Sequence, residues 1–438
     1  MRSPAAQAIT RILLAAALLA ASTAAPAQTP DSPDGLWTGT AQLSNQQVPF
    51  RLAITGTGAH LHGVLLNGPG NSGNFAKSGT SGRFASSSGS YADGHLVLHF
   101  DYYANTLDAT FTNGVLAGTF GGHTHPIPIT AQRNGQLAAA AADPPRIAGI
   151  WTVAVANGSK GEDSWKLRVR QTGPNVAAVI ERIDGDTGNL YGVWRDGAFT
   201  VSHFTAAGPS FAILRPQPDG TLLLETAAHG GGLQSFPAHR ATPLHTAALD
   251  TADDPLHHTW LKNPSQPLAF HFPDLSGKLV SSTDPEFARK VLILSIGGSW
   301  CPNCQDEAPF LESLYRTYHG RGLDIVELSF EEASQRQNPV RLRAVIQRYG
   351  ITYPVLLAGT PDQLAATFPG VANLDCWPTT FFIGRDGRVA AIHTGYAGPS
   401  TGQDNHHLET ETTALVERLL AVKAAPARPS PVQVARTQ

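Results

Sequence analysis

Cys301 and Cys304 stand two residues apart in Ser299-Trp300-Cys301-Pro302-Asn303-Cys304, directly after the apolar run Val291 to Ile296. Thiols at that spacing suit two kinds of chemistry. They can cycle between dithiol and disulfide, or they can form half of a zinc site. Zinc needs about two more ligands at comparable spacing. The only other cysteine is Cys376, so zinc would have to recruit histidines from far along the chain. Exchange needs a thiolate, an accessible sulfur and a second thiol close enough to resolve a mixed disulfide. A CxxC pair opening a helix supplies all three. Unpaired N–H groups and the helix dipole favour S⁻ at Cys301, the expected nucleophile. Cys304, one turn in and expected to be more buried, is the resolving thiol. Trp300 is expected to pack beside the pair and limit the face a partner can approach.

The surrounding pattern says how the pair is positioned. Phe270 to Val280 reads as a hairpin, and Ser282 to Arg289 as a short helix with Thr283 or Asp284 as cap. Strands are expected at 291–296, 323–330, 353–357, 379–383 and 389–394. Helices are expected at 303–319, 338–349, 361–368 and 410–422, the second with Val340, Ala344, Ile346 and Tyr349 inward. Helices between strands imply crossovers and a mixed sheet covered on both faces. This α/β domain spans 264–423, and the tail 424–438 is expected to be disordered.

The first half is organised differently. Gly35-Leu36-Trp37-Thr38 recurs as Gly149-Ile150-Trp151-Thr152, 114 residues later. Asp93-Gly94, Asn113-Gly114, Asp196-Gly197 and Asp219-Gly220 each precede apolar alternation, a strong hairpin signal. Two repeated antiparallel β modules are expected, at 33–134 and 146–242, each a small barrel or sandwich. The Gly- and Ser-rich stretch 68–93 reads as loop. The Gly-x-Trp opening resembles that of calycin-type barrels, and each Trp is expected to plug a core. His245, His257 and His258 read as surface loop residues whose spacing fits no common metal pattern. No metal site and no cofactor is expected.

The chain has 438 residues, a formal net charge of −3 and 15% charged residues, which argues against a nucleic-acid surface. Residues 1–27 read as a signal peptide: Arg2 and Arg11, an apolar core from Ile12 to Ala21, then Ala25-Pro26-Ala27. The apolar core is too short for a spanning helix, so no transmembrane anchor is expected after cleavage. The expected location is periplasmic or otherwise exported, in an oxidising compartment.

Residues 264–423 resemble the TlpA-like branch of thioredoxin-like thiol-disulfide oxidoreductases. The resemblance rests on Phe272-Pro273-Asp274-Leu275-Ser276-Gly277-Lys278, Trp300-Cys301-Pro302-Asn303-Cys304, Glu307 with Pro309, and Trp377-Pro378-Thr379-Thr380-Phe381-Phe382-Ile383 before Asp386-Gly387. It covers a little over a third of the chain and none of the β repeats. It implies a cis Trp377-Pro378 bond against the cysteines, with Trp377, Pro378 and Thr379 docking an extended substrate beside Trp300. It also favours a proton-carrying role for Glu307. Spacing alone leaves Glu307 equally readable as a first-turn acid complementing the helix dipole, as Asp306 is. Ser295 departs from thioredoxins proper, which carry a buried carboxylate six residues before the first cysteine. Cys376, two residues before Pro378, is a candidate third thiol or a buried inert one.

The expected function is an exported disulfide reductase. It would exchange a Cys301-Cys304 dithiol with protein disulfides through a mixed disulfide at Cys301, with electrons from a membrane donor. The alternatives are a thiol peroxidase on the same fold, or an envelope binding protein whose β repeats carry the main function.

Overall fold

The computed structural model describes residues 32–423, apart from 44, 69–81, 123–125, 138, 157, 228–231 and 242–253. The leader expected at 1–27, His245 and the tail 424–438 lie outside the described residues.

Alternation builds the first half. In Gln46–Thr55 the buried positions are Val48, Phe50, Leu52 and Ile54, every second residue, as a strand with one wet face requires. Nine antiparallel strands from Gly35–Leu43 to Ile127–Arg133 form one open sheet. Its two edge strands, Arg83–Ala85 and Ser88–Ala92, fall in the stretch read as loop. Backbone pairing with His62–Leu66 and His95–Phe100 makes them strands despite their composition.

The second set of strands, from Gly149–Ala154 to Leu233–Arg240, closes on itself. Ser164–Thr172 pairs with both Gly149–Ala154 and Asn175–Arg182, which completes a ring of eight. A ninth strand, Gly185–Asp186, pairs only with the end of Asn175–Arg182 and stays outside the ring.

The repeated opening has one physical cause. Trp37 Nε1 donates to Pro33 O at 2.7 Å and Trp151 Nε1 to Ile147 O at 2.9 Å, four residues back in each case. Both rings are buried in their cores. An arginine from each module's last strand covers its ring, Arg133 at 5.0 Å and Arg240 at 4.4 Å from the centroid. Asp93-Gly94, Asn113-Gly114 and Asp196-Gly197 have positive φ at both residues, as type I′ hairpins need. At Asp219-Gly220 only the glycine does.

The rest is an α/β layer. Its five strands are ordered 355–359, 323–330, 291–297, 379–383 and 389–394. The first three run parallel, and the last two join antiparallel. Val291–Gly297 is central and buried at every residue, which explains its unbroken apolar run. Helices Pro302–Tyr318, Val340–Tyr349 and Gln403–Ala421 cover the sheet.

Three expectations need correction. Residues 282–290 are successive turns rather than a helix, because Asp284 Oδ2 accepts from Ser281 N and Arg289 takes φ +63°. In Val340–Tyr349, Ala344, Ile346 and Tyr349 pack against the core as expected, but Val340 is exposed and the fully buried residues are Arg341, Leu342 and Val345. A buried acid, described below, turns that helix to bring Arg341 inward. The closing helix begins at Gln403, seven residues before the position read from sequence.

One buried cluster runs from Trp37 and Phe100 of the first sheet through Tyr102 to Leu311 and Leu314 of the CxxC helix. Arg348 lies 3.9 Å from the Tyr102 ring centroid. The β sheets are thus packed onto the α/β layer from the side that carries the cysteines.

Candidate functional site

The central strand ends at Gly297, and the chain turns through Gly298 and Ser299 into the helix starting at Pro302. Gly298 has to be small, since a Cβ would sit 2.6 Å from Phe330 O and overlap the Trp300 indole. The turn is pinned by buried charge. Glu331, with no exposed surface, accepts from Ser299 N and Ser299 Oγ, both at 2.7 Å, and from Ser329 Oγ at 2.8 Å. Arg341 completes the set, with Nη2 2.9 Å from Glu331 and Nε 2.7 Å from Ser299 Oγ. Sequence reading missed this pair. Its signal was an arginine on the apolar side of a helix, with an acid directly after a strand.

Cys301 and Cys304 form a disulfide with Cα atoms 5.3 Å apart, so the zinc half-site reading is not taken up by this pair. Cys301 is the helix N-cap, and its Sγ accepts from Cys304 N at 3.1 Å. A thiolate on Cys301 would therefore sit at the positive helix end with an N–H already aimed at it. The expected order of burial is reversed: Cys301 is 3% exposed, whereas Cys304 is partly exposed. The cis-proline loop lies against the first sulfur through Trp377 O, while the second borders Gly297, whose Cβ position is 3.3 Å from Cys304 Sγ.

Trp377-Pro378 is cis, and Trp377 O lies 3.7 Å from Cys301 Sγ. Trp300 packs edge-on to Trp377 at 5.3 Å and donates from Nε1 to Phe330 O at 2.9 Å. The structure thus brings Trp300, Trp377 and Pro378 to the cysteines. Thr379 is adjacent, but its side chain is fully buried and its Oγ1 donates to Cys376 O at 2.9 Å.

Glu307, three residues beyond Cys304 on the same helix, turns toward the sheet. It is buried, and its carboxyl accepts from Thr380 Oγ1 at 2.9 Å and Ser295 Oγ at 3.2 Å. Burial pushes its pKa up to about 7 against those two bonds. A second acid was not anticipated. Glu327 is the parallel-sheet partner of Ser295, and its Oε1 lies 3.8 Å from the same Gly297 Cβ position that Cys304 Sγ borders. Burial first, then the charges of Glu331 and Glu307, raise Glu327 to about 8. The carboxylate missing at Ser295 is thus present one strand over. An acid in the middle of a mostly apolar buried strand was the available signal.

Asp306 is not a dipole-complementing surface acid. It lines a cleft of about 410 Å³ with Asp186, and burial together with Asp186 raises it to about 7. The cleft runs between the CxxC helix and the barrel arm, where Asn303 Nδ2 donates to Asp184 O at 3.0 Å.

Cys376 has no exposed surface. Burial first, then the nearby Asp375 and Asp184 charges, push its thiol far up. His258 is its neighbour and is buried too, which corrects the surface reading. Thr259 Oγ1, bonded to Asn373 O at 3.0 Å, holds this segment against the cis-proline loop. His257 is exposed as expected.

The AhpC/TSA family pattern matches residues 265–392. Thiol-disulfide oxidoreductase ResA of Geobacillus thermodenitrificans is 31% identical over 142 residues, covering 32% of this chain and 73% of that protein. ResA of Bacillus thuringiensis is 30% identical, covering 26% of this chain and 60% of its own length. Among solved structures, a thiol:disulfide interchange protein DsbE from Chlorobium tepidum is 20% identical with a TM-score of 0.29, covering 36% of this chain and 99% of that one. StoA from Bacillus subtilis is 21% identical with a TM-score of 0.25, covering 34% and 99%. Through its C-terminal region, the chain belongs to the ResA-like thiol-disulfide oxidoreductases.

Proposed function

We propose that the chain is an exported disulfide reductase acting on protein disulfides. The observation that carries the reading is Cys301 Sγ at the helix N-cap, bonded by Cys304 N and lying beside the carbonyl of the cis-proline loop. Reduced Cys301 attacks one sulfur of a substrate disulfide and expels the other as thiolate, which takes up a proton. Cys304, giving its proton to Glu307 or Glu327, then attacks Cys301 Sγ. The Cys301–Cys304 bond forms and the second substrate thiol leaves, so two electrons pass to the substrate. Carboxyls held at about 7 and about 8 are matched to taking a proton near neutral pH. Trp300, Trp377 and Pro378 form the dock, and the two β modules wall it. The leader pattern at 1–27 supports export, and a membrane donor is the natural source of electrons for an oxidising compartment.

The test is insulin disulfide reduction with thiol trapping. Cys301→Ser should abolish turnover, and Cys304→Ser should accumulate a mixed disulfide on Cys301. A Cys301→Ser chain that still reduces insulin overturns the reading. Peroxide consumption that exceeds disulfide reduction would move the chain to the peroxidase class.

A further inference from the structure

Three donor atoms of different kinds meet beside the cis-proline loop. His258 Nε2 is 2.9 Å from Asp375 Oδ1. Cys376 Sγ is 3.5 Å from that nitrogen and 3.3 Å from that oxygen. A tetrahedral zinc ion with bonds of about 2.0–2.3 Å holds neighbouring ligand atoms about 3.3–3.8 Å apart. The triangle therefore already has nearly the size of one face of such a site, and only the nitrogen–oxygen edge must widen. We propose that His258, Asp375 and Cys376 bind a zinc-like divalent ion, with the fourth position open to water.

The donor set suits that ion: one thiolate, one imidazole and one carboxylate are its usual ligands. His258 and Cys376 are buried, and the Asp375 side chain, 38% exposed, provides the way in. The outer contacts are present as well. Asn373 Nδ2 donates to His258 O at 2.9 Å and stands 3.1 Å from Nε2, so a metal displaces the second contact and keeps the first. Thr379 Oγ1 holds Cys376 O, and Lys160 from the barrel holds Asp375 O. The bound ion would tie the segment around His258 to the loop that carries Pro378. It would also keep Cys376 as a ligand and out of disulfide exchange with Cys301 and Cys304. The ligands are separated by 118 residues in the chain, so no spacing pattern announces them.

The experiment uses the full oxidised chain, in which Cys301 and Cys304 are locked together and Cys376 is the one thiol. Titration with Co²⁺ should saturate at one ion per chain. A sulfur-to-cobalt charge-transfer absorption and the strong visible bands of a tetrahedral ion should appear, and Zn²⁺ should displace both. Cys376→Ser should remove the charge-transfer band, and His258→Gln should weaken binding about tenfold or more. Far-UV circular dichroism checks that each variant folds. If one does not, alkylation of Cys376 in the wild-type chain with and without Zn²⁺ decides, with slowing by Zn²⁺ expected. Absence of the charge-transfer band, its survival in Cys376→Ser, or alkylation unchanged by Zn²⁺ would overturn the proposal.

Discussion

Asn303, one of the two residues between the cysteines, donates from Nδ2 to the backbone oxygen of Asp184 at 3.0 Å. The barrel's side arm therefore touches the redox motif itself. At Gly185 φ is +130°, and a Cβ there would overlap the Asn303 carboxamide. Gly185→Val should push the arm away from the helix and open the approach to the nearly buried Cys301. Reduction of a folded protein disulfide should speed up, while reduction of a small aromatic disulfide stays nearly constant. Stopped-flow rates for both substrates check this, and equal changes in the two would count against a walling role.

Glu307 and Glu327 should act on resolution rather than on first attack. The Glu307→Gln, Glu327→Gln double variant is expected to slow release of the mixed disulfide by about a hundredfold, the usual scale of a lost general base. In the wild type this rate should climb between pH 6 and 8 as groups at about 7 and about 8 ionise. The double variant should lose that climb. A pH profile of the same shape in both proteins would remove the two acids from the step.

Arg341→Met leaves Glu331 buried without its cation. Breaking a buried pair by removing one partner costs about 3–5 kcal/mol, so a large drop in melting temperature is expected. Arg341→Met with Glu331→Gln should recover part of it. Thermal denaturation of the three chains gives the answer, and a negligible loss in the single variant would mean that Ser299 and Ser329 suffice for the acid.

Stability should fall between pH 6.5 and 8. Asp306, Glu307 and Glu327 hold protons up to about 7, 7 and 8, whereas an unfolded chain releases them near their ordinary values of 3.8 and 4.5. The stability they contribute is complete below the unfolded values and is lost as pH rises through the folded ones. His203, held down to about 4 by burial, works in the opposite direction but only below pH 6.5. Each carboxyl represents about 1–3 kcal/mol, less where it is partly exposed. Melting temperatures at pH 6.5 and 8 test this, with a shallower decline expected for Glu307→Gln.

The redox motif, the order of the α/β elements and the two β repeats could be read from local pattern. Val291–Gly297, the I′ turns and the two tryptophans carry their structural cause within a few residues. What escaped depends on distant contacts. His258 is a ligand-like neighbour of Cys376 only because a two-stranded pairing of Trp260–Leu261 with Val371–Ala372 joins the segments. Glu327 borders the same Gly297 position as Cys304 only because its strand lies parallel to the central one. The burial order of the cysteines escaped because the chain that lies against Cys301 Sγ, at Trp377, is 76 residues downstream.

The ninth strand of the barrel region, Gly185–Asp186, is not a stave of the closed ring. Ring closure constrains the length and register of the eight staves, whereas this appendage is held by the α/β layer, with Asp186 Oδ2 accepting from Gly398 N at 2.7 Å. Exchanges there would reshape the contact with Asn303 while the ring of eight keeps its own hydrogen bonds. The ring's closure and the contact with the redox motif thus lie in separate stretches of the barrel region. One short arm therefore meets the redox motif from outside the ring, at a residue between the two cysteines rather than at a sulfur.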